Sequence, residues 1–137
     1  MAAKYFVDEN DLALGKALAI RRGNVVYPGH PDLPEVPRES LDDKWLEVVG
    51  VNGLVVITRD QRIRYRPVER RMWVQHRVRG FVLTGTTSQS TADSFTLLDH
   101  RWTEVSSIVE ARSEGPWMFS VTPHGLREIA LAGERQE

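Results

Sequence analysis

Leu54-Val55-Val56-Ile57-Thr58 decides how this chain folds. Four of its five residues are aliphatic. The run lacks the polar alternation of a strand with one wet face, so it predicts a strand covered on both sides. Such a strand sits centrally in a parallel sheet, with helices packed above and below it. Arg59 and Asp60 follow at once, so the strand carries an acid to its carboxyl end.

Working upstream, Tyr5-Phe6-Val7 is a second short apolar run that opens into Asp8-Glu9-Asn10. Leu12, Leu14, Ala17, Leu18 and Ala19 then fall near helical spacing, with Asn10 or Asp11 as cap, Arg21 and Arg22 in the last turn and Gly23 as the stop. Asn24–Tyr27 reads as a strand, and the prolines at 28, 31, 34 and 37 make the next segment a loop. Ser40 and Asp43 predict an acidic capping box for a helix carrying Trp45, Leu46, Val48 and Val49 up to the Gly50–Gly53 turn.

Downstream, Pro67 starts a helix expected to run to about Arg77, where Gly80 breaks it. Phe81-Val82-Leu83 is the next strand, ending at Thr84-Gly85. A long helix follows from about Ala92 to Arg112, then a strand over Trp117–Val121. Residues 126–131 read as either a short helix or a strand. Helices alternating with short strands predict an α/β fold, a three-layer α/β/α sandwich with a mainly parallel sheet of about five strands, as one domain over residues 1–137.

Composition narrows the chemistry. The chain has 137 residues and no cysteine, which excludes disulfides, thiolate nucleophiles, iron–sulfur clusters and cysteine-ligated zinc. No run approaches the roughly 18–20 apolar residues of a membrane span, and the opening residues lack a signal-peptide core, so a soluble cytoplasmic protein without a membrane partner is expected. The net charge of −1 hides an asymmetry. Arg59, Arg62, Arg64, Arg66, Arg70, Arg71, Arg77 and Arg79 stand against only Asp60 and Glu69, so that window carries +6 and the rest −7. A polyanion-facing side and a merely solvated helix face both fit this pattern.

Ligands of parallel α/β sheets sit outside the carboxyl ends of the strands. Asp8, Glu9 and Asp60 fall at that edge, and Asp42 or Asp43 opens the helix leading into the central strand. Asp43 fits a capping role, which leaves Asp42 as the candidate ligand; Asp11 reads as a cap. Carboxylates gathered at one mouth repel each other unless a hard cation neutralises them, and oxygen-only donors favour Mg²⁺ or Mn²⁺. Such a metal supports phosphodiester hydrolysis without histidine or cysteine. The four histidines show no HxH or HExxH spacing, and GxxxxGK[ST], GxGxxG and GxSxG are absent. Trp45, Trp73, Trp102 and Trp117 read mainly as core, with base stacking the alternative for Trp73.

Phe6-Val7-Asp8-Glu9-Asn10, the Asp42–Trp45 pair before a helix, Val55–Asp60 and the arginine-rich stretch after it together resemble a PIN-like domain of the VapC-type toxin ribonuclease branch. The likeness spans residues 5 to about 125 and includes the closing Gly115, Pro116 and Val121. It implies a Mg²⁺- or Mn²⁺-dependent endoribonuclease, the toxin of a type II toxin–antitoxin pair, acting on RNA and silenced by a cognate antitoxin. It implies Asp8, Asp42 and Asp60 as catalytic metal ligands and Asn10 and Thr58 as supporting polar groups. Arg59, Arg62, Arg64, Arg66 and Arg70 are the expected RNA contacts. Many relatives carry a fourth acid; Glu9, Asp43, Glu69 and Asp93 are candidates, because Thr84, Thr86, Thr87 and Ser88 after the fourth strand offer only hydroxyls. A homodimer is a possible partner arrangement, and the antitoxin is expected over the basic mouth or an apolar flank near Trp102. The alternatives are a catalytically silent RNA- or protein-binding relative, or a receiver-type phospho-acceptor. The receiver needs a lysine after the fifth strand, where this chain has Thr122 and Pro123.

Overall fold

Val55–Thr58 forms β3, hydrogen-bonded in parallel to β1 (Tyr5–Val7) on one side and β4 (Arg79–Leu83) on the other. The structure is a computed structural model and describes residues 3–84 and 90–131. Two further parallel strands extend the sheet, β2 (Val25–Val26) beside β1 and β5 (Trp117–Thr122) beside β4. The last strand, β6 (Gly125–Glu128), returns antiparallel along β5. The order is β2-β1-β3-β4-β5-β6.

Period-two alternation divides the strand side chains between two cores. Tyr5, Val7, Val55, Ile57, Phe81, Leu83, Trp117 and Val121 face α1 (Leu12–Arg22) and α5 (Thr91–Ala111). Phe6, Val56, Val82 and Met118 face the helices α2 (Asp42–Asn52), α3 (Gln61–Tyr65) and α4 (Pro67–Gln75). All four β3 residues are buried, as the apolar run requires. The protein is therefore an α/β/α sandwich with a sheet that is parallel except at one edge.

Several local expectations change. Of the undecided segment after β5, residues 126–128 are strand and 129–131 are irregular, so the described sheet has six strands. The Ser40–Asp43 capping box is not formed: Ser40 Oγ donates to the Pro37 carbonyl, and Asp43 pairs with His76 Nε2 at 2.8 Å. Leu41 is the N-cap, without a side-chain cap bond. Gly80 does not break a helix but lies inside β4, where a Cβ would come within 2.7 Å of the Val56 carbonyl oxygen and 2.8 Å of Trp73 Cη2. The missing side chain is what lets the Trp73 ring lie on the sheet. That ring is fully buried and donates to the Trp117 carbonyl at 3.1 Å, so Trp73 is core and not a base-stacking platform. Helix α3 is a single turn with one buried residue, Ile63, too short for a periodic pattern to announce it.

Candidate active site

At the boundary of β1 and β3 the chain leaves the sheet in opposite directions, to α1 on one face and α3 on the other. Loops diverging there mark the carboxyl edge at which doubly wound sheets bind ligands. Asp8 is the residue after β1, and Asp60 stands two residues beyond β3.

Thr58, itself 1% exposed, ties the two acids together. Its hydroxyl donates to Asp8 Oδ2 at 2.9 Å and accepts the Asp60 amide at 2.9 Å. Asp8 is buried, and its other oxygen, Oδ1, has no hydrogen-bond partner. Burial raises its pKa to about 7 from the ordinary 3.8, the Thr58 hydroxyl opposes this, and the nearby charges of Asp60, Asp42 and Asp11 push it further up.

Asp60 caps α3. Its Oδ1 accepts from the Arg62 amide and Nε at 3.0 and 2.9 Å, while Oδ2 accepts from the other guanidinium arm at 2.7 Å. Burial works to raise the Asp60 pKa, but the Arg62 bonds and the charges of Arg62 and Arg66 outweigh it and hold the carboxyl below its ordinary range. Asp42, in the first turn of α2, accepts from Trp45 Nε1 at 3.0 Å.

Asp11 does more than cap α1. It accepts from the Leu14 amide at 3.1 Å, from Thr91 Oγ1 at 3.1 Å and from Arg59 at 2.6 Å, and it is buried. It is thus a fourth carboxylate at the mouth, joining the first helix, the β3 loop and the start of α5. The sequence signal was its place three residues after Asp8, across the single 3₁₀ turn Glu9–Asp11.

The other candidate acids lie elsewhere or are otherwise engaged. Glu9 fastens the proline-rich loop through Arg38 Nε at 2.7 Å and the Glu39 amide; burial opposes these bonds, yet they keep its pKa low. Asp43 is held by His76 at 2.8 Å. Asp93 forms a capping box with Ser90 at the start of α5. Glu69 keeps a buried Oε1 without a partner and lies 4.0 Å from Arg66. Asn10 is exposed in the 3₁₀ turn, and Thr86, Thr87 and Ser88 lie outside the described residues.

The arginines divide by position. Arg59, Arg62 and Arg66 pair with Asp11, Asp60 and Glu69, and the Arg64 guanidinium lies 5.0 Å from the Tyr65 ring. Arg70 is turned to backbone, donating to the carbonyls of Arg64 and Ala130. Arg79 opens β4 at the opposite edge of the sheet and donates to the Gly53 carbonyl at 2.8 Å. Trp102 packs on Tyr5 with centroids 4.8 Å apart and lies under Arg22 at 4.5 Å, so its ring is half-buried against the chain itself.

The model of the PIN like domain family matches residues 3–85, more than half of the chain and all of β1 through β4. The chain belongs to the PIN-like family. The matched region contains Asp8, Asp11, Asp42, Thr58 and Asp60 and stops before α5, so the closing Gly115–Val121 segment lies outside it. No curated protein and no solved structure matches the chain. No helix among the described residues is long and apolar enough to cross a membrane.

Among the described residues of this PIN-like domain, no three His, Cys, Asp or Glu side chains are grouped as a ready metal cage. Asp8, Asp42 and Asp60 reach one edge, but Arg62 occupies Asp60 and Trp45 occupies one oxygen of Asp42. One feature nevertheless fits a hard cation. Asp8 presents a buried, unpartnered oxygen among neighbouring negative charges, and a divalent ion would satisfy the first and offset the second.

Proposed function

We propose that this PIN-like chain is a divalent-metal-dependent endoribonuclease, the toxin of a type II toxin–antitoxin pair, with Asp8, Asp42 and Asp60 as the ligands of Mg²⁺ or Mn²⁺. The orphaned Oδ1 of buried Asp8 carries this reading: an isolated unpaired carboxylate is costly inside a protein, and its retention at a sheet's ligand-binding edge points to a cationic counterpart. Bound there, the cation would polarise a phosphodiester and favour attack by water, leaving a 5′ phosphate and a 3′ hydroxyl.

The chain's own groups do the rest. Thr58 fixes Asp8 and the start of the Asp60 turn, and Asp11 braces the mouth through Arg59 and Thr91. Arg62 neutralises Asp60 in the free protein and is placed to turn to an RNA phosphate once Asp60 is otherwise engaged. Arg59, Arg64 and Arg66 add positive charge along the same rim, with Arg70 further along α4. A cognate antitoxin would cover this rim.

A second reading has its own support. The Arg62 clamp on Asp60 and the lack of a preformed cage also suit a PIN-like module that binds RNA or protein without cleaving it. The receiver alternative has no lysine at its required place, since β5 ends at Thr122 and Pro123 follows.

The test is incubation of wild-type and Asp60→Asn protein with total RNA, in Mn²⁺, in Mg²⁺ and in EDTA, with cut ends mapped. Metal-dependent cuts that the variant loses are the expected result. Folded wild-type protein that binds RNA but never cuts it would favour the silent module.

A further inference from the structure

Beside the acidic mouth is a cavity of about 350 Å³ at the carboxyl ends of β4 and β5, lined by Arg64, Thr84, Thr122, His124, Leu126 and Arg127 among others. Its volume is near the lower end of the roughly 300–1,000 Å³ of small-ligand sites, the size that one nucleotide fills. No acid lines it among the described residues, although the chain as a whole is slightly acidic.

The arginines here differ from those around Asp60. Arg59, Arg62 and Arg66 are each paired with a carboxylate. Arg64 instead rests near the Tyr65 ring at 5.0 Å, and Tyr65 is 66% exposed. Neither Arg64 nor Arg127 forms an ion pair among the described residues, so both guanidinium groups remain available to an anion. The floor is rigid: Thr122 Oγ1 donates to the Gly125 carbonyl at 3.1 Å and accepts the His124 amide at 3.1 Å, closing the β5–β6 turn.

The cavity is joined to the acids by one short element. Helix α3 has Asp60 as its N-cap and Arg64 in its last turn, and Gln61 Nε2 holds it to the Leu83 carbonyl at 2.9 Å. Four helical residues span about 6 Å, which is within about two stacked nucleotide steps at ~3.4 Å each.

Resting on the ribonuclease reading, we propose that this cavity receives a nucleotide of single-stranded RNA adjacent to the cleaved bond. Arg64 and Arg127 hold its phosphate, and the base stacks on the Arg64 guanidinium beside Tyr65. A paired base cannot enter a recess at a sheet edge, whereas an unpaired one can be splayed into it and stacked on an arginine plane.

The experiment measures binding in EDTA, where cleavage plays no part. Fluorescence anisotropy is read with a short labelled oligouridylate, an oligoadenylate and a blunt RNA duplex of equal length. The single strands should bind more tightly than the duplex. Arg64→Ala and Arg127→Ala should each weaken single-strand binding about three- to tenfold, the effect of losing one charged contact partly open to water. Each should also lower the slope of log affinity against log salt by about 0.7. Arg21→Ala, on α1 away from the cavity, should bind as wild type does. Should Arg64→Ala fail to fold, Arg64→Gln and Arg127→Ala carry the same comparison. In amide-resolved NMR, uridine 5′-monophosphate should shift Thr122 and Gly125. Wild-type affinity in both arginine variants, shifts confined to other residues, or equal duplex binding would overturn the proposal while leaving the nuclease reading intact. Failure of wild type to bind any RNA would remove both.

Discussion

Replacing Asp8 by asparagine should stabilise the metal-free protein at pH 8 while abolishing the proposed activity. Asp8 is 5% exposed, one of its oxygens has no partner, and its pKa stands at about 7 against an ordinary 3.8. Between about pH 4 and pH 7 the folded protein therefore holds a proton there that the unfolded chain releases. For a group raised in this way, the stabilising contribution is complete below about pH 4 and is lost as pH rises through about 7. A gap of three units corresponds to about 4 kcal/mol at pH 8, at about 1.4 kcal/mol per unit. Local relaxation and water entry reduce this, so a gain of about 2 kcal/mol is expected for the amide, or roughly 6–8 °C in Tm for a domain of this size. At pH 5, where wild-type Asp8 is mostly protonated when folded, the gain should shrink below about 1 kcal/mol.

The assay is thermal unfolding of both proteins in EDTA at pH 5 and pH 8. The difference between the two proteins isolates Asp8, because histidines titrate in the same window and cancel. Saturating Mn²⁺ should then reverse the order, since binding at a hundred times Kd adds about 2.7 kcal/mol to the protein that keeps the ligand. An Asp8→Asn protein that is less stable than wild type by the same amount at both pH values would refute the reasoning.

Three other outcomes are expected. Arg62→Ala should tighten Mn²⁺ binding in calorimetry without RNA, because the guanidinium competes for both oxygens of Asp60; unchanged or weaker metal affinity would count against Asp60 as a ligand. Thr58→Val should cost about 1–3 kcal/mol in denaturant unfolding, since it strips a buried hydroxyl from both Asp8 and the Asp60 amide. Gly80→Ala should cost about 3 kcal/mol, because the new methyl group meets a β3 carbonyl that cannot move away; stability within about 0.5 kcal/mol of wild type would mean that the approach of Trp73 to the sheet is not tight.

Much of this architecture is legible in local pattern. Val55–Thr58 could only be buried on both faces, and a parallel sheet needs helices above and below it, so one apolar run implied three layers. Asp8 and Asp60 stood out because acids ended strands otherwise made of apolar residues. Helix α3 and strand β6 were not legible. The first is one turn held by the Asp60 cap and by Ile63, and the second is a half-exposed strand whose type is decided by its pairing with β5.

The site divides in the same way. The sequence by itself determined that acids would stand at the carboxyl edge of a parallel sheet, because residue type and strand-end position are local properties. Only the tertiary structure decided which partner each acid meets. Asp43 goes to His76, Asp93 to Ser90, Glu9 to Arg38 and Asp60 to Arg62, and Asp11 gathers Arg59 and Thr91 from segments 48 and 80 residues away. A carboxylate's charge state depends on burial and on through-space neighbours, and no spacing along the chain encodes either one.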